Sequence, residues 1–430
     1  MSFIKTTNMR SNLFNSKVLA MLIVISFTAG GCFKDKLTRT YTILTPVYDT
    51  KANVIANIKS NIPATVKQPG KIYLYGKYIF LNEIDKGVHI IDNGNPSNPV
   101  NVAFINIPGN LDIAVKGNTL YADFYEDLLA IDISDPLQAK VKKMLTNIFP
   151  DRQYTNGFVP DPTLIIVDWL KKDTTVDVDR NGGIFGGWGC PTCAFLMSGT
   201  ADATSSGGKS NAPGIAGSMS RFAVVNDYMY AVNQSALQTI SISTANDPQF
   251  VKTENMGWSI ETIFPFKDKL FIGSASGMFI YSIANPSVPE RQGSFSHARA
   301  CDPVIADDDY AFVTLRNGNI CSGSANQLDI VNVQNVFSPS LVKTYPLTNP
   351  HGLAKDGNYL FICDGRDGLK VYDASSVTNI KILKHIPGMV TFDVIAWNKR
   401  LLVVTEEGLR QYDYSDIGNI HLLSTISINK

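Results

Sequence analysis

The chain has 430 residues, 44% of them hydrophobic and 18% charged. It is too apolar for a disordered protein and long enough to bury a large core. Its 38 Lys and Arg balance its 38 Asp and Glu, so no overall field draws it to nucleic acid, which is not expected as a partner.

The N-terminus carries an address. Lys5, Arg10 and Lys17 precede an apolar run over 18–27, followed by Thr28-Ala29-Gly30-Gly31-Cys32. A basic stretch, a short apolar core and small residues before a cut site describe a secretory leader, and the run is short for a membrane span. Small residues in front of a Cys resemble a bacterial lipobox, although Ala29 stands where that pattern prefers Leu. The resemblance implies cleavage before Cys32, diacylglycerol on its thiol and an outer-membrane or cell-surface protein held to the membrane by lipid. A plain leader with Cys32 incidental is the alternative. Residues 1–31 are thus expected as signal peptide, 32–66 as a tether or covering arm with some strand character over 47–58, and 67–430 as the folded domain.

Export puts the remaining cysteines in an oxidising compartment. Cys190 and Cys193, within Cys-Pro-Thr-Cys, are a candidate disulfide, with a redox pair or two lone thiols as alternatives. Cys301 and Cys321 flank one hairpin and form a second candidate pair. Cys363 falls in an expected strand and reads as a buried, inert thiol.

From residue 71 onward a motif recurs: a short apolar strand ending in a polar residue, usually before an Asn/Asp/Ser-Pro turn. The copies end at Asp92, Asp132, Ser241, Ser282, Asn332, Asp373 and Asp413, in steps of 40, 109, 41, 50, 41 and 40 residues. A four-stranded sheet needs about 40 residues, so the period predicts an all-β fold, a seven-bladed β-propeller of four-stranded blades. The 109-residue step is one period plus a long insertion over 150–217, after the second blade. The 50-residue step reflects a longer inner loop in the fifth blade, over 316–327. Frequent tyrosines at repeat positions, such as Tyr73, Tyr121 and Tyr230, read as blade core.

Three phrases sharpen this: Ile260-Glu261-Thr262-Ile263-Phe264-Pro265, Ser296-His297-Ala298-Arg299-Ala300-Cys301-Asp302-Pro303, and Asn349-Pro350-His351-Gly352-Leu353. With the repeated strand-Asp-Pro unit they resemble the LVIVD-repeat lipoproteins. The resemblance covers nearly the whole chain after Cys32 and implies a propeller exported as a lipoprotein. It implies little about activity.

In a propeller the first strand of each blade lines the central channel and starts at one mouth. Superposing the repeats places Asp112, Arg221, Glu261 with Thr262, Asp302, His351 and Asp393 at that start in six successive blades. His297, Arg299, Arg316 and Asp364 fall in loops expected on the same side. Convergent ionisable groups in a concavity are the default binding site. The arginines suit a carboxylate or phosphate and the cluster suits an anionic or carbohydrate ligand. Structural pairing of the same charges is the competing reading.

Three functions stay open: a non-catalytic ligand- or partner-binding module, a hydrolase or lyase using the same cluster with His297 or His351 as base, and a scaffold without small ligand. No nucleophile elbow or phosphate loop is present, and no cofactor is expected. Asp177, Asp179 and Asn181, followed by Gly182, open like a calcium loop, but Trp188 stands where the closing acid belongs. Half a calcium loop is a weak signal, and a plain Asp/Asn/Gly turn is the preferred reading.

Overall fold

The structure, a computed structural model, describes residues 38–150, 158–177, 194–195, 214–257, 259–297, 303–317 and 325–428. Cys32, Cys190, Cys193, Cys301, Cys321, Arg299, Asp302, Asp179 and Asn181 lie outside them. Asp177 is the last residue of the strand Leu164–Asp177.

The chain divides into two compact units, Met1–Ile43 with Lys171–Pro191, and Leu44–Leu170 with Thr192–Lys430. In the first, Thr40 Oγ1 lies 2.9 Å from Thr175 Oγ1, and Thr42 donates to Asp173 at 2.7 Å. The second is the propeller.

Seven antiparallel sheets follow one another along the chain. Blades 1 to 7 occupy residues 69–106, 113–145, 222–255, 260–296, 304–346, 353–386 and 391–427. Each is a four-stranded meander of consecutive strands, and blade 1 carries one extra strand on each edge. In every blade the pairing of third and fourth strands breaks register once at an equivalent place, for example between Ile90 and Ile91 or between Gln411 and Tyr412. A bulge bends and twists an outer strand.

The repeated strand-ending acid has a local cause. Asp92 Oδ1 accepts Gly94 N at 2.9 Å, Asp132 accepts Ser134 N at 2.9 Å, Asp373 accepts Ser375 N at 2.9 Å and Asp413 accepts Ser415 N at 2.7 Å. These are Asx turns, which steer the chain from third to fourth strand. With Ser134 N–H and the Lys142 ammonium beside it, the Asp132 carboxyl is held down to about 2. The turns are also gripped by neighbours. Tyr121 donates to Ala245 O and Tyr230 to Pro286 O, both at 2.8 Å and both on the following blade. Burial raises both phenols. The tyrosines therefore join blades as well as filling them.

The ring closes by packing. Ile72, Leu74, Ile79 and Leu81 of blade 1 share a core cluster with Ile395, Leu402, Val404 and Leu409 of blade 7. Asn93 and Gln411 exchange amide hydrogen bonds of 3.0 and 2.7 Å across the seam. All four strands of blade 7 come from residues 391–427, so the N-terminal segment does not complete it. It goes instead to the outer edge of blade 1, where Ser60–Asn61 pairs with Ile105 and Phe104.

One feature departs from expectation. Strand character over 47–58 stops at Thr50, whose hydroxyl accepts Asn53 N at 3.3 Å and caps a helix, Lys51–Asn57. The cap and the burial of Val54 override the weak β-preference there. Within the insertion, the 14-residue strand Leu164–Asp177 pairs with the 13-residue strand Thr38–Thr50.

Candidate functional site

The end of the insertion enters the ring. Gly214–Ala216 pairs antiparallel with Tyr73–Tyr75 on the inner edge of blade 1. Ser218, Met219 and Ser220, which follow, are all at most 2% exposed. Leu353 N of blade 6 donates to Ser218 Oγ, Lys71 Nζ of blade 1 to Met219 O, Ile263 N of blade 4 to Ser220 O, and Arg221 N to Asp112 Oδ2 of blade 2. A four-residue segment bonded to blades 1, 2, 4 and 6 must cross the centre of the ring.

The sequence-expected residues of blades 2, 3, 6 and 7 gather around that crossing. Asp112 and Asp393 are buried at 0% and 2% exposure, and Lys71 at 6%. Burial pulls the Lys71 ammonium down to about 8, while Asp112, Asp393 and Asp123 pull against that shift. Burial also raises the Asp112 carboxyl, against the cations Lys71 and Arg221. The Arg221 guanidinium meets Asp123 Oδ2 at 3.1 Å. Asp123 Oδ1 accepts Leu111 N at 2.7 Å, Asp112 N at 2.9 Å and Asn110 Nδ2 at 2.8 Å, and so shapes the loop that presents Asp112. A Cβ on Gly352 would stand 2.2 Å from Asp393 Oδ1 and 3.0 Å from Ser218 Oγ, so only glycine fits there.

His351 and Asp364 are equally engaged. His351 N donates to Cys363 O at 2.7 Å, its carbonyl accepts Thr314 Oγ1 of blade 5 at 2.8 Å, and its ring meets Asn349 Oδ1 at 3.1 Å and the edge of Phe392 of blade 7. Asp364, fully buried, accepts Thr348 N and Asn349 N at 3.1 and 2.7 Å and pairs with Lys370. The Asn-Pro-His-Gly-Leu phrase is therefore an inner-edge joint between blades 5, 6 and 7. Arg316 is 5% exposed, whereas Arg221, Glu261 and His297 are half-buried. Cys363 is the free cysteine among the described residues, and burial raises its thiol well above its usual range.

Lys71, Asp123 and the Ser218–Arg221 backbone are parts of this centre that the repeat superposition did not single out. Asp123 had a readable signal. The end of each second strand lies at the same mouth as the start of the first, and polar residues recur there: Asn82, Asp123, Asn233, Ser274, Asp364 and Thr405. Buried groups of this kind are hydrogen-bonded almost without exception. Asn233 accepts Ser235 N and Ala236 N, and Thr405 donates to Gly408 O.

The Lys71 shift predicts a pH dependence. The folded ammonium releases its proton near pH 8, the unfolded one near 10.5, so between those values the unfolded chain binds more protons and stability rises with pH. The urea midpoint of the wild type should climb from pH 8 toward 10. Lys71→Met should lose that climb; a variant that keeps it would assign the effect elsewhere. The raised Asp112 carboxyl has the opposite sign: its stabilisation is present at low pH and fades as pH rises through its folded value.

Compared with known families, the LVIVD repeat matches residues 69–106, 110–142 and 351–384, which are blades 1, 2 and 6. No curated protein matches the chain. Among solved structures, a protein from Lactobacillus plantarum has 11% identity over 91% of this chain and 97% of its own, with a TM-score of 0.51. The computationally designed Ika8 protein has 7% identity over 86% of this chain and 92% of its own, with a TM-score of 0.50. A periplasmic gluconolactonase of Pseudomonas aeruginosa, PpgL, has 11% identity over 91% and 97%, with a TM-score of 0.49. At such identities the likeness is one of fold alone.

Proposed function

We propose, from a seven-bladed β-propeller of which three blades match the LVIVD repeat, that the chain is an exported, lipid-tethered, non-catalytic binding module. The observation that carries this reading is the state of the central mouth. Lys71, Asp112, Asp123, Arg221 and Asp393 are turned toward one another and toward the crossing segment, and His351 and Asp364 hold loops. General acid–base chemistry needs a group within reach of a substrate, and these groups are committed to a closed, rigid hub. What remains at the rim is half-buried Glu261 and His297, polar groups suited to hydrogen-bonding a small anionic or carbohydrate ligand, or a protein loop bearing such groups.

Two experiments test the reading. Cys32→Ala, expressed in cells fed labelled palmitate, is expected to lose the label and the membrane fraction that the wild type shows; retained label refutes the lipid tether. Phosphate, citrate and neutral oligosaccharides are then titrated against the purified domain. One of them is expected to raise Tm by RT ln(1 + [L]/Kd) worth of stability, and His297→Ala to abolish the rise. A rise unaltered by His297→Ala removes the rim from the binding role.

A further inference from the structure

Away from the hub, one buried histidine is wired to the N-terminal arm. His89, in the third strand of blade 1 (Gly87–Asp92), is 0% exposed. Its Nε2 lies 3.0 Å from Glu83 Oε2, and its Nδ1 lies 3.3 Å from Asn101 Nδ2. The groups facing it are Glu83 from the second strand, Asn101 and the Phe104 ring from the outer strand, and arm backbone beyond them. Glu83 also accepts Lys67 N at 3.1 Å and Gln68 N at 2.6 Å. Asn101 Nδ2 donates to Ala64 O at 2.8 Å. One carboxylate, one amide and one imidazole thus fasten residues 64–68 to blade 1.

The donor and acceptor pattern defines the imidazole. The Glu83 carboxylate only accepts, so Nε2 carries a proton; the Asn101 amide nitrogen only donates, so Nδ1 offers a lone pair. The ring held here is the neutral Nε2–H tautomer. The orientation of Asn101 is set by Ala64 O, which requires a donor. Its other end, Oδ1, is buried without a hydrogen-bond partner.

We propose that Glu83, His89 and Asn101 form an acid-operated latch for the arm. Protonation of Nδ1 sets an N–H against the Asn101 N–H group, a donor facing a donor. Rotating the amide by half a turn brings Oδ1 onto Nδ1–H and gives that oxygen its missing partner. The same rotation withdraws the amide N–H from Ala64 O. With neutral imidazole Asn101 holds the arm; with imidazolium it holds the histidine. Burial opposes ionisation of Glu83, but the His89 hydrogen bond and the Lys67 and Gln68 N–H groups outweigh it and keep the carboxyl below its usual range. Glu83 therefore clasps Lys67 and Gln68 in both states, and the loosening falls on the stretch before them. That stretch ends in the two-residue edge strand Ser60–Asn61, tied to blade 2 by Ser60 Oγ to Pro136 O at 2.6 Å. Its release uncovers the outer edge of blade 1.

Hydrogen exchange on the full chain at pH 7.5 and 5.5, corrected for intrinsic rates, reads the latch. The edge-strand amides of Ser60 and Asn61, paired with Ile105 and Phe104, should lose protection by about tenfold at the lower pH, the worth of roughly one buried hydrogen bond. Those of 391–427 in blade 7 are the internal reference and should hold. His89→Gln keeps a donor for Glu83 and cannot titrate, so its arm should stay protected at both pH values. Asn101→Ala should be poorly protected at both. Equal arm protection in the wild type at the two pH values overturns the proposal, as does a pH-dependent loss persisting in His89→Gln. Should His89→Gln fold poorly, the same persistence in Asn101→Ala overturns it.

Discussion

Asp123→Ala is expected to be among the most damaging single substitutions in this chain, lowering the unfolding free energy by about 4 kcal/mol. The carboxylate is 2% exposed and takes hydrogen bonds from Leu111 N, Asp112 N and Asn110 Nδ2 while pairing with Arg221. Truncation leaves two backbone N–H groups buried without an acceptor, at about 1–3 kcal/mol each, and strands a guanidinium beside the hub. Asp123→Asn keeps an oxygen for the two backbone donors but turns an amide toward Arg221, and should fall between alanine and wild type. The measurement is the urea midpoint of the three proteins at one pH. A loss below about 1 kcal/mol for alanine would mean that water enters the hub and takes over the acceptor role.

Gly408→Ala is expected to do comparable harm by a different route. Gly408 opens the third strand of blade 7 at φ +128°, and a Cβ there would lie 2.0 Å from Ile426 O of the outer strand. Both the backbone conformation and the close approach forbid a side chain, and the obstructing atom is a carbonyl within a ladder, which cannot step aside. Gly87 occupies the same place in blade 1, with Ile105 O at 2.0 Å. Strain and overpacking together should remove about 3–5 kcal/mol, seen as a large midpoint shift or a collapse of soluble yield. Gly357→Ala is the control. Its φ is +58° and nothing lies within 4 Å of the added Cβ, so it should lose only about 1 kcal/mol. Equal losses at the two positions would show that φ, not the approach of the outer strand, is the cost.

The blades were legible because each is a local object. Asp92, Asp132, Asp373 and Asp413 make their turns with residues two positions on, and hairpins such as Tyr78–Glu83 with Gly87–Asp92 pair neighbours in the chain. Register and turn chemistry in such units are written within a few residues. The positions expected at the mouth were also legible, since Asp112, Arg221, Asp393 and His351 follow from superposing those local units. Their partners were not. Lys71 looked like the first residue of a strand, and the atom it bonds, Met219 O, is 148 residues away. The helix Lys51–Asn57 was hidden because its β-branched Val54 masks a cap that only Thr50 in place reveals.

By itself the sequence determined the number of blades, their four-stranded build, their turns and the polar ring at one end, because every one of those properties repeats at short range. Only the tertiary structure decided what the polar ring does. Closing seven blades brings Asp112, Asp123, Arg221, Asp393 and Lys71 into one low-dielectric volume, and the end of the insertion fills it. Charges that close, and that dry, must satisfy one another. No local pattern specifies which of them meet, because that depends on ring closure and on a segment arriving from outside the repeats.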